Sequence, residues 1–94
     1  MARVELERSY GWLPPQVSGV RLEFSMDGLI ASCVRRDGAV SQLQLSTDPQ
    51  QCEAALSRWL ESEGLPSANA APAAELLVGR LFDARRRTPV AGAA

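Results

Sequence analysis

The chain has 94 residues, which is enough for one hydrophobic core and too few for two. Its 10 basic residues are all arginine, and with 11 acidic residues and no histidine the formal net charge is −1 at pH 7. This balance disfavours a general nucleic-acid binder, because such proteins neutralise several phosphates with basic side chains.

The two cysteines are Cys33 and Cys52. With no histidine and no further cysteine, they cannot form a zinc site of the usual ligand number. We therefore expect both to be buried thiols that behave as small apolar side chains.

The sequence predicts a cytoplasmic protein with no membrane partner. No apolar run approaches the ~18 residues of a membrane span. The N-terminal residues alternate in charge and lack the apolar core of a signal peptide. The exclusive use of arginine and the abundance of alanine indicate a GC-rich genome, which is typical of bacteria or phages.

The N-terminal segment predicts a short strand and then a stiff loop. In residues 2–8, apolar and charged side chains alternate with the period of a half-buried strand. Residues 9–19 follow, with the aromatic residues Tyr10 and Trp12 and two consecutive prolines. Because the prolines exclude regular ladder structure, we expect this segment to be a loop.

Residues 20–46 predict an antiparallel meander of three strands. An Asp-Gly pair occurs at each junction, at 27–28 and 37–38. Asp-Gly is the strongest short-range hairpin signal, because glycine tolerates the positive φ that tight turns require. The predicted strands span residues 20–25, 29–35 and 39–46.

The apolar pattern also predicts unequal hairpin loops. Two loops of two residues would send the apolar side chains of the first and third strands to opposite faces, and one extra loop residue restores a common face. With a longer loop at 26–28, Ile30 and Val34 join the core, and we favour this alternative because it buries the larger β-branched side chains. With a longer loop at 36–38, the alternate residues replace them: Leu29, Ala31 and Cys33.

The next segment predicts a long helix with both ends marked. Thr47 or Asp48 is the N-cap, a proline occupies the first turn, and Gly64 supplies the left-handed residue after the last turn. The apolar residues of this helix follow the spacing of one buried stripe. They are Cys52, Ala55, Leu56, Trp59 and Leu60.

Small residues at 66–72 predict a linker, and residues 73–87 predict a second helix. Its stripe consists of Ala74, Leu77, Val78, Leu81 and Phe82. The predicted fold class is α+β: a three-stranded antiparallel meander, or four-stranded with the N-terminal strand, with one long helix packed across it and a second C-terminal helix. We expect a single domain over residues 1–87 and a frayed tail over 88–94.

No catalytic constellation is recognisable in this sequence. Histidine and lysine, the usual general bases, are absent, and the glycines lie at turns and ends rather than in a phosphate-binding loop. We expect no enzyme activity, no catalytic residue, no metal site and no cofactor.

The apolar candidates favour a small non-catalytic protein-binding module, such as an adaptor, an assembly factor or an inhibitor of a larger partner, with a homodimer as one version. Prolines stiffen the loop at residues 9–19, which we call the aromatic loop, and rigid aromatic side chains suit an interface hot spot. The other interpretation is that Trp12 folds back and covers the open edge of the hydrophobic core. The predicted partner-binding residues are Tyr10, Trp12, Leu13 and Leu76.

The alternative function is nucleic-acid binding through arginines of the outer sheet face and the C-terminal helix. The candidate contacts are Arg21, Arg35, Arg36, Arg85, Arg86 and Arg87. The outer sheet face has no aromatic stacking platform and includes Glu23, so a solvated polar face is the simpler expectation. The three C-terminal arginines also complement the dipole of the helix that they end.

Overall fold

The computed structural model describes residues 3–7, 11, 13–26 and 28–87, apart from the side chains of residue 7 and residues 85–87. Alternating apolar residues and tight turns fold the first half of the chain into a four-stranded antiparallel sheet, with the strands in chain order. The elements are β1 (Arg3–Glu7), β2 (Val17–Ser25), β3 (Gly28–Arg35), β4 (Val40–Leu45), α1 (Pro49–Ser62) and α2 (Ser67–Arg87). The predicted α+β class is confirmed, and the N-terminal strand is part of the sheet.

Both helices pack on one face of the sheet, which we call the inner face. Strand residues that alternate along each strand share a single buried cluster with the helix stripes. The strands contribute Leu6, Val17, Val20, Leu22, Leu29, Ala31, Cys33 and Leu45, and the helices contribute Cys52, Leu56, Leu60, Ala70, Ala73, Ala74, Leu77, Val78 and Leu81. The molecule therefore has two layers, and the opposite face of the sheet, the outer face, is covered by neither helix.

The hairpin registers confirm that the two loops differ by one residue. Ser25 pairs with Gly28, which leaves two residues in the first loop. In the second hairpin the Arg35 N–H donates to the Ala39 carbonyl at 2.8 Å, so the loop comprises the three residues 36–38.

Our preference for a longer first loop was wrong. Leu29, Ala31 and Cys33 face the core, and Ile30 and Val34 lie on the outer face. β3 is a central strand beneath the helix layer, where small side chains let close-packed layers approach each other. The size of the β-branched residues did not decide which face is buried.

A bulge in β2 explains why the sequence pattern placed the start of this strand too late. The pairing with β3 shifts between Val17 and Gly19, so Ser18 is an extra residue on that strand. Because of this residue, Val17 and Val20 both lie in the core although they are three positions apart. The alternation is interrupted there, and residues 17–19 resemble the preceding loop.

The ends of α1 agree with the sequence prediction. Asp48 is the N-cap and proline is the first helical residue. At the other end the Gly64 N–H donates to the Glu61 carbonyl at 3.1 Å and the Leu65 N–H to the Leu60 carbonyl at 3.0 Å. These two bonds form a Schellman motif, which needs a left-handed residue, and Gly64 has φ 115°.

Gly64→Ala should lower the free energy of unfolding by ~1–3 kcal/mol, because a side chain is strained at this positive φ. An added Cβ would also lie 2.8 Å from Nε2 of Gln16. Gly79→Ala in α2 is the matched control, since a Cβ there meets nothing within 4 Å. Urea denaturation should show Gly79→Ala neutral or stabilising by up to about 1 kcal/mol. Equal stabilities for the two variants would contradict the cap geometry.

The predicted linker at 66–72 is wrong, because α2 begins at Ser67 and contains Pro72. Its first turn is closed by the Asn69 and Ala70 N–H groups, which both donate to the Pro66 carbonyl at 2.8 Å. Ala70 of this segment is buried, as are Ala73 and Ala74 directly after it, and these alanines pack in the layer beside α1. This tertiary packing outweighs the one backbone hydrogen bond that Pro72 removes.

The stripe predicted for α2 is buried, with Phe82 partly so and edge-to-face with Phe24 at a centroid distance of 5.3 Å. Neither helix in the described part of the chain combines the length and the hydropathy needed to cross a membrane. The predicted tail at 88–94 lies outside the described residues.

Candidate functional site

The outer face of the sheet has a charged half and an uncharged half. The strand registers place outward-facing residues in rows across the four strands. The charged half, on β1 and β2, consists of Arg3, Glu5, Arg21 and Glu23. The uncharged half, on β3 and β4, consists of Ile30, Ser32, Val34, Val40, Gln42 and Gln44.

In the charged half, arginines lie beside a carboxylate. The Arg21 Nε atom is 3.3 Å from Oε1 of Glu5, and the Arg3 Nε atom is 3.8 Å from the same oxygen. The Arg21 Nε atom is buried and makes no directed hydrogen bond, so its contact with Glu5 is an ion pair of poor alignment. Such surface pairs contribute only ~0–1 kcal/mol to stability. Their effect here is to balance the charge of this half.

The uncharged half presents apolar side chains bordered by amides. Val34 lies directly opposite Val40, and Val40 is 55% exposed. Ile30 and Val34 are partly buried. Ser32 is 4% exposed, and its hydroxyl oxygen accepts a hydrogen bond from Nε2 of Gln42 at 3.3 Å. Depletion of charge around exposed apolar residues is the compositional mark of a protein interface core.

The pockets of the described residues do not resemble an enclosed ligand site. A cleft of about 120 Å³ lies between the two halves, where Gly19 has no side chain beside Val34. This is below the ~300–1,000 Å³ of typical small-molecule sites. A more open hollow of about 380 Å³ lies between the helices, and Glu53 is the one charged side chain that lines it.

Arg35 does not lie on the outer face, so the expectation that it joins Arg21 there was wrong. Its Nη2 atom is 3.1 Å from Oε1 of Glu63 and 3.4 Å from the Glu63 carbonyl oxygen. The first loop has two residues and not the three that we expected, so β3 pairs with β2 one position away from the expected register, which turns Arg35 to the inner side. There it ties the end of β3 to the end of α1.

Both cysteines are free and buried, as the sequence predicted. The pKa of Cys33 is raised to about 11, chiefly by burial and also by the charge of Glu63 and a hydrogen bond with it, while the Arg35 charge opposes the rise. Burial also raises the pKa of Cys52 to about 11, with a smaller effect from Glu53. Neither thiol has the lowered pKa of a reactive cysteine.

The residues predicted to bind a partner are only partly within the described chain. Leu13 and Leu76 are partly buried and pack against the core. Tyr10 and Trp12 lie outside the described residues. A hot spot in the aromatic loop therefore stays a prediction.

The remaining arginine candidates are Arg36 and the three arginines that end α2. Arg36 is exposed in the loop after β3, and its backbone N–H donates to the Gln16 carbonyl at 3.0 Å. Residues 85–87 end α2, and their side chains lie outside the described part of the molecule. Among the three proposed arginines whose side chains are described, Arg21, Arg35 and Arg36, the structure places Arg21 alone on the outer face.

Sequence reasoning missed the uncharged half, although one signal for it is visible. Residues 38–47 form a run of ten positions without a formal charge. The run marks β4 as unusual, but its neighbour on β3 becomes apparent only from the register.

No group of three or more Cys, Asp or Glu side chains in the described residues is arranged to hold a metal ion. Comparisons with protein-family models, with curated proteins and with solved structures gave no match to this chain.

Proposed function

We propose that this chain is a small non-catalytic protein-binding module, and that its contact surface is the uncharged half of the outer face. The observation that carries this proposal is the exposure of Val40, beside the partly buried Val34 and Ile30, on a sheet face that neither helix covers. A protein partner with an apolar, uncharged contact surface fits there, because burying apolar area is favourable and no charge must be desolvated. An adaptor or an inhibitor of a larger protein would use the surface in this way.

The arrangement of the arginines favours a protein partner over nucleic acid. Arg21 lies beside Glu5, and Arg35 is paired with Glu63 on the inner side. A strand of nucleic acid would have to compete with these carboxylates for the guanidinium groups. The outer-facing side chains of the described strands also include no aromatic ring on which a base could stack. Two free thiols suit the reducing cytoplasm, where we propose that the module acts.

Photochemical cross-linking tests this proposal in cells of the source organism. A photoreactive benzoylphenylalanine at position 34 should give a discrete covalent adduct with another protein. The matched control is the same amino acid at position 58, because Arg58 is exposed on α1 and lies away from the outer face. The partner would be identified by mass spectrometry and purified.

Val34→Glu should then weaken binding of that partner by about tenfold or more, since it buries an unpaired charge in the contact. Arg58→Glu should leave the affinity unchanged, and both variants should retain the circular dichroism spectrum of the folded protein. Adducts from position 58 alone, or full affinity of folded Val34→Glu, would place the interface elsewhere. A nucleic-acid adduct from position 34 would establish the alternative function instead.

A further inference from the structure

β4 is an edge strand of the sheet, paired on one side with β3. The Arg35 N–H donates to the Ala39 carbonyl, so the alternation of antiparallel pairing makes Val40 and Gln42, which lie one and three positions further along β4, members of non-hydrogen-bonded pairs. The backbone N–H and C=O groups of Val40 and Gln42 therefore point away from β3. This edge offers a ladder of hydrogen-bonding groups to another strand.

The edge lacks the features that usually prevent strand pairing between molecules. Natural edge strands carry charged residues, prolines or bulges that discourage a second chain. β4 has none of these: it has neither charge nor proline, and its register with β3 is continuous. The uncharged run extends past both ends of the strand, from Gly38 to Thr47.

We infer that the partner of this edge is a second copy of the chain, bound by antiparallel pairing of β4 with β4 about a two-fold axis at Gln42. A two-fold interface must be complementary to itself. Centred on Gln42, the pairing sets Gln42 opposite Gln42 of the second copy and Val40 opposite Gln44 of the second copy. No like charges meet anywhere along the strand.

The charges that flank the uncharged run lie outside the paired strands. Arg36 and Asp48 each lie six positions from Gln42, and both are exposed. In an antiparallel pair centred on Gln42, Arg36 of each copy comes to the same end as Asp48 of the other. Asp37 is also exposed at this end, where its Oδ1 atom accepts a hydrogen bond from the Ala39 N–H at 2.9 Å. The interface thus has an uncharged centre, and charges of both signs are confined to its two ends.

This inference has its own basis in the edge of β4 and extends the proposed function. Pairing would join two four-stranded sheets into one continuous sheet of eight strands. The two uncharged halves would then adjoin each other at the centre of the outer face. A further protein partner would meet a contact surface twice as wide as that of one chain.

Charge-swap variants at the two-fold axis test the inference on the purified full chain. By sedimentation velocity, the wild-type protein should have twice the 10.1 kDa mass of one chain. Gln42→Glu and Gln42→Arg should each raise the dissociation constant of this dimer at least about tenfold, because like charges face each other across the axis. An equimolar mixture of the two variants should regain the dimer.

Position 44 provides the control, because Gln44 is on the same strand and face but away from the axis. Gln44→Glu would face Val40 of the second copy, so mixing Gln44→Glu with Gln44→Arg should give no comparable rescue. A monomeric wild-type protein, or a dimer that both Gln42 variants leave intact, would overturn the inference. Because Val34 lies on β3, cross-linking at position 34 can succeed when dimerisation fails, so the two proposals fail separately.

Discussion

Leu56→Ala should lower the free energy of unfolding by ~2–5 kcal/mol, a large part of the ~5–15 kcal/mol that stabilises a typical domain. Leu56 is fully buried in the middle of α1, in the cluster that joins α1 to the sheet and to α2. Truncation removes its buried methyl groups and leaves a cavity between two layers that cannot fully collapse. Urea denaturation followed by circular dichroism measures the loss.

Arg58→Ala is the matched control for this prediction. Arg58 is exposed two positions away on the same helix, so its truncation should change stability by less than about 0.5 kcal/mol. If Leu56→Ala cost no more than Arg58→Ala, α1 would not pack on the inner face as described. Trp59, which is only partly buried, should respond less than its size suggests.

The stability of the protein should fall as the pH rises from about 9 to about 11. The ordinary pKa of 9.0 applies to both thiols in the unfolded chain, whereas burial raises the pKa of Cys33 and of Cys52 to about 11 in the folded protein. Over this range the unfolded chain releases protons that the folded protein retains. Stability is therefore complete below pH 9 and declines above it, by at most about 1.4 kcal/mol per pH unit for each thiol.

The composition makes this alkaline decline easy to assign. The chain has no lysine and one tyrosine, so few other side chains titrate between pH 9 and pH 11. In a Tyr10→Phe background, thermal melts should keep the decline, and adding Cys33→Ala and Cys52→Ala should flatten it. An equally steep decline without both cysteines would show that the buried thiols do not cause it.

Local chemistry was sufficient to predict most of the elements and part of the candidate site. Alternation predicted β1, the Asp-Gly pairs predicted the hairpins, and Gly64 marked the end of α1. The charge-free run around β4 was also visible in the sequence. These features depend on a few neighbouring residues, and the backbone conformations that each residue allows do not change with the rest of the fold.

Tertiary structure decided the features that depend on how layers meet. Packing beneath the helices, and not side-chain size, decided which hairpin carries the longer loop. It thereby decided whether Ile30 or Ala31 is buried. The same register turned Arg35 toward Glu63 and left Val34 on the outer face. Pro72 is helical because buried alanines pack beside α1. The uncharged surface exists only because two strands adjoin in one register, and a face of that kind cannot be predicted from neighbours in sequence.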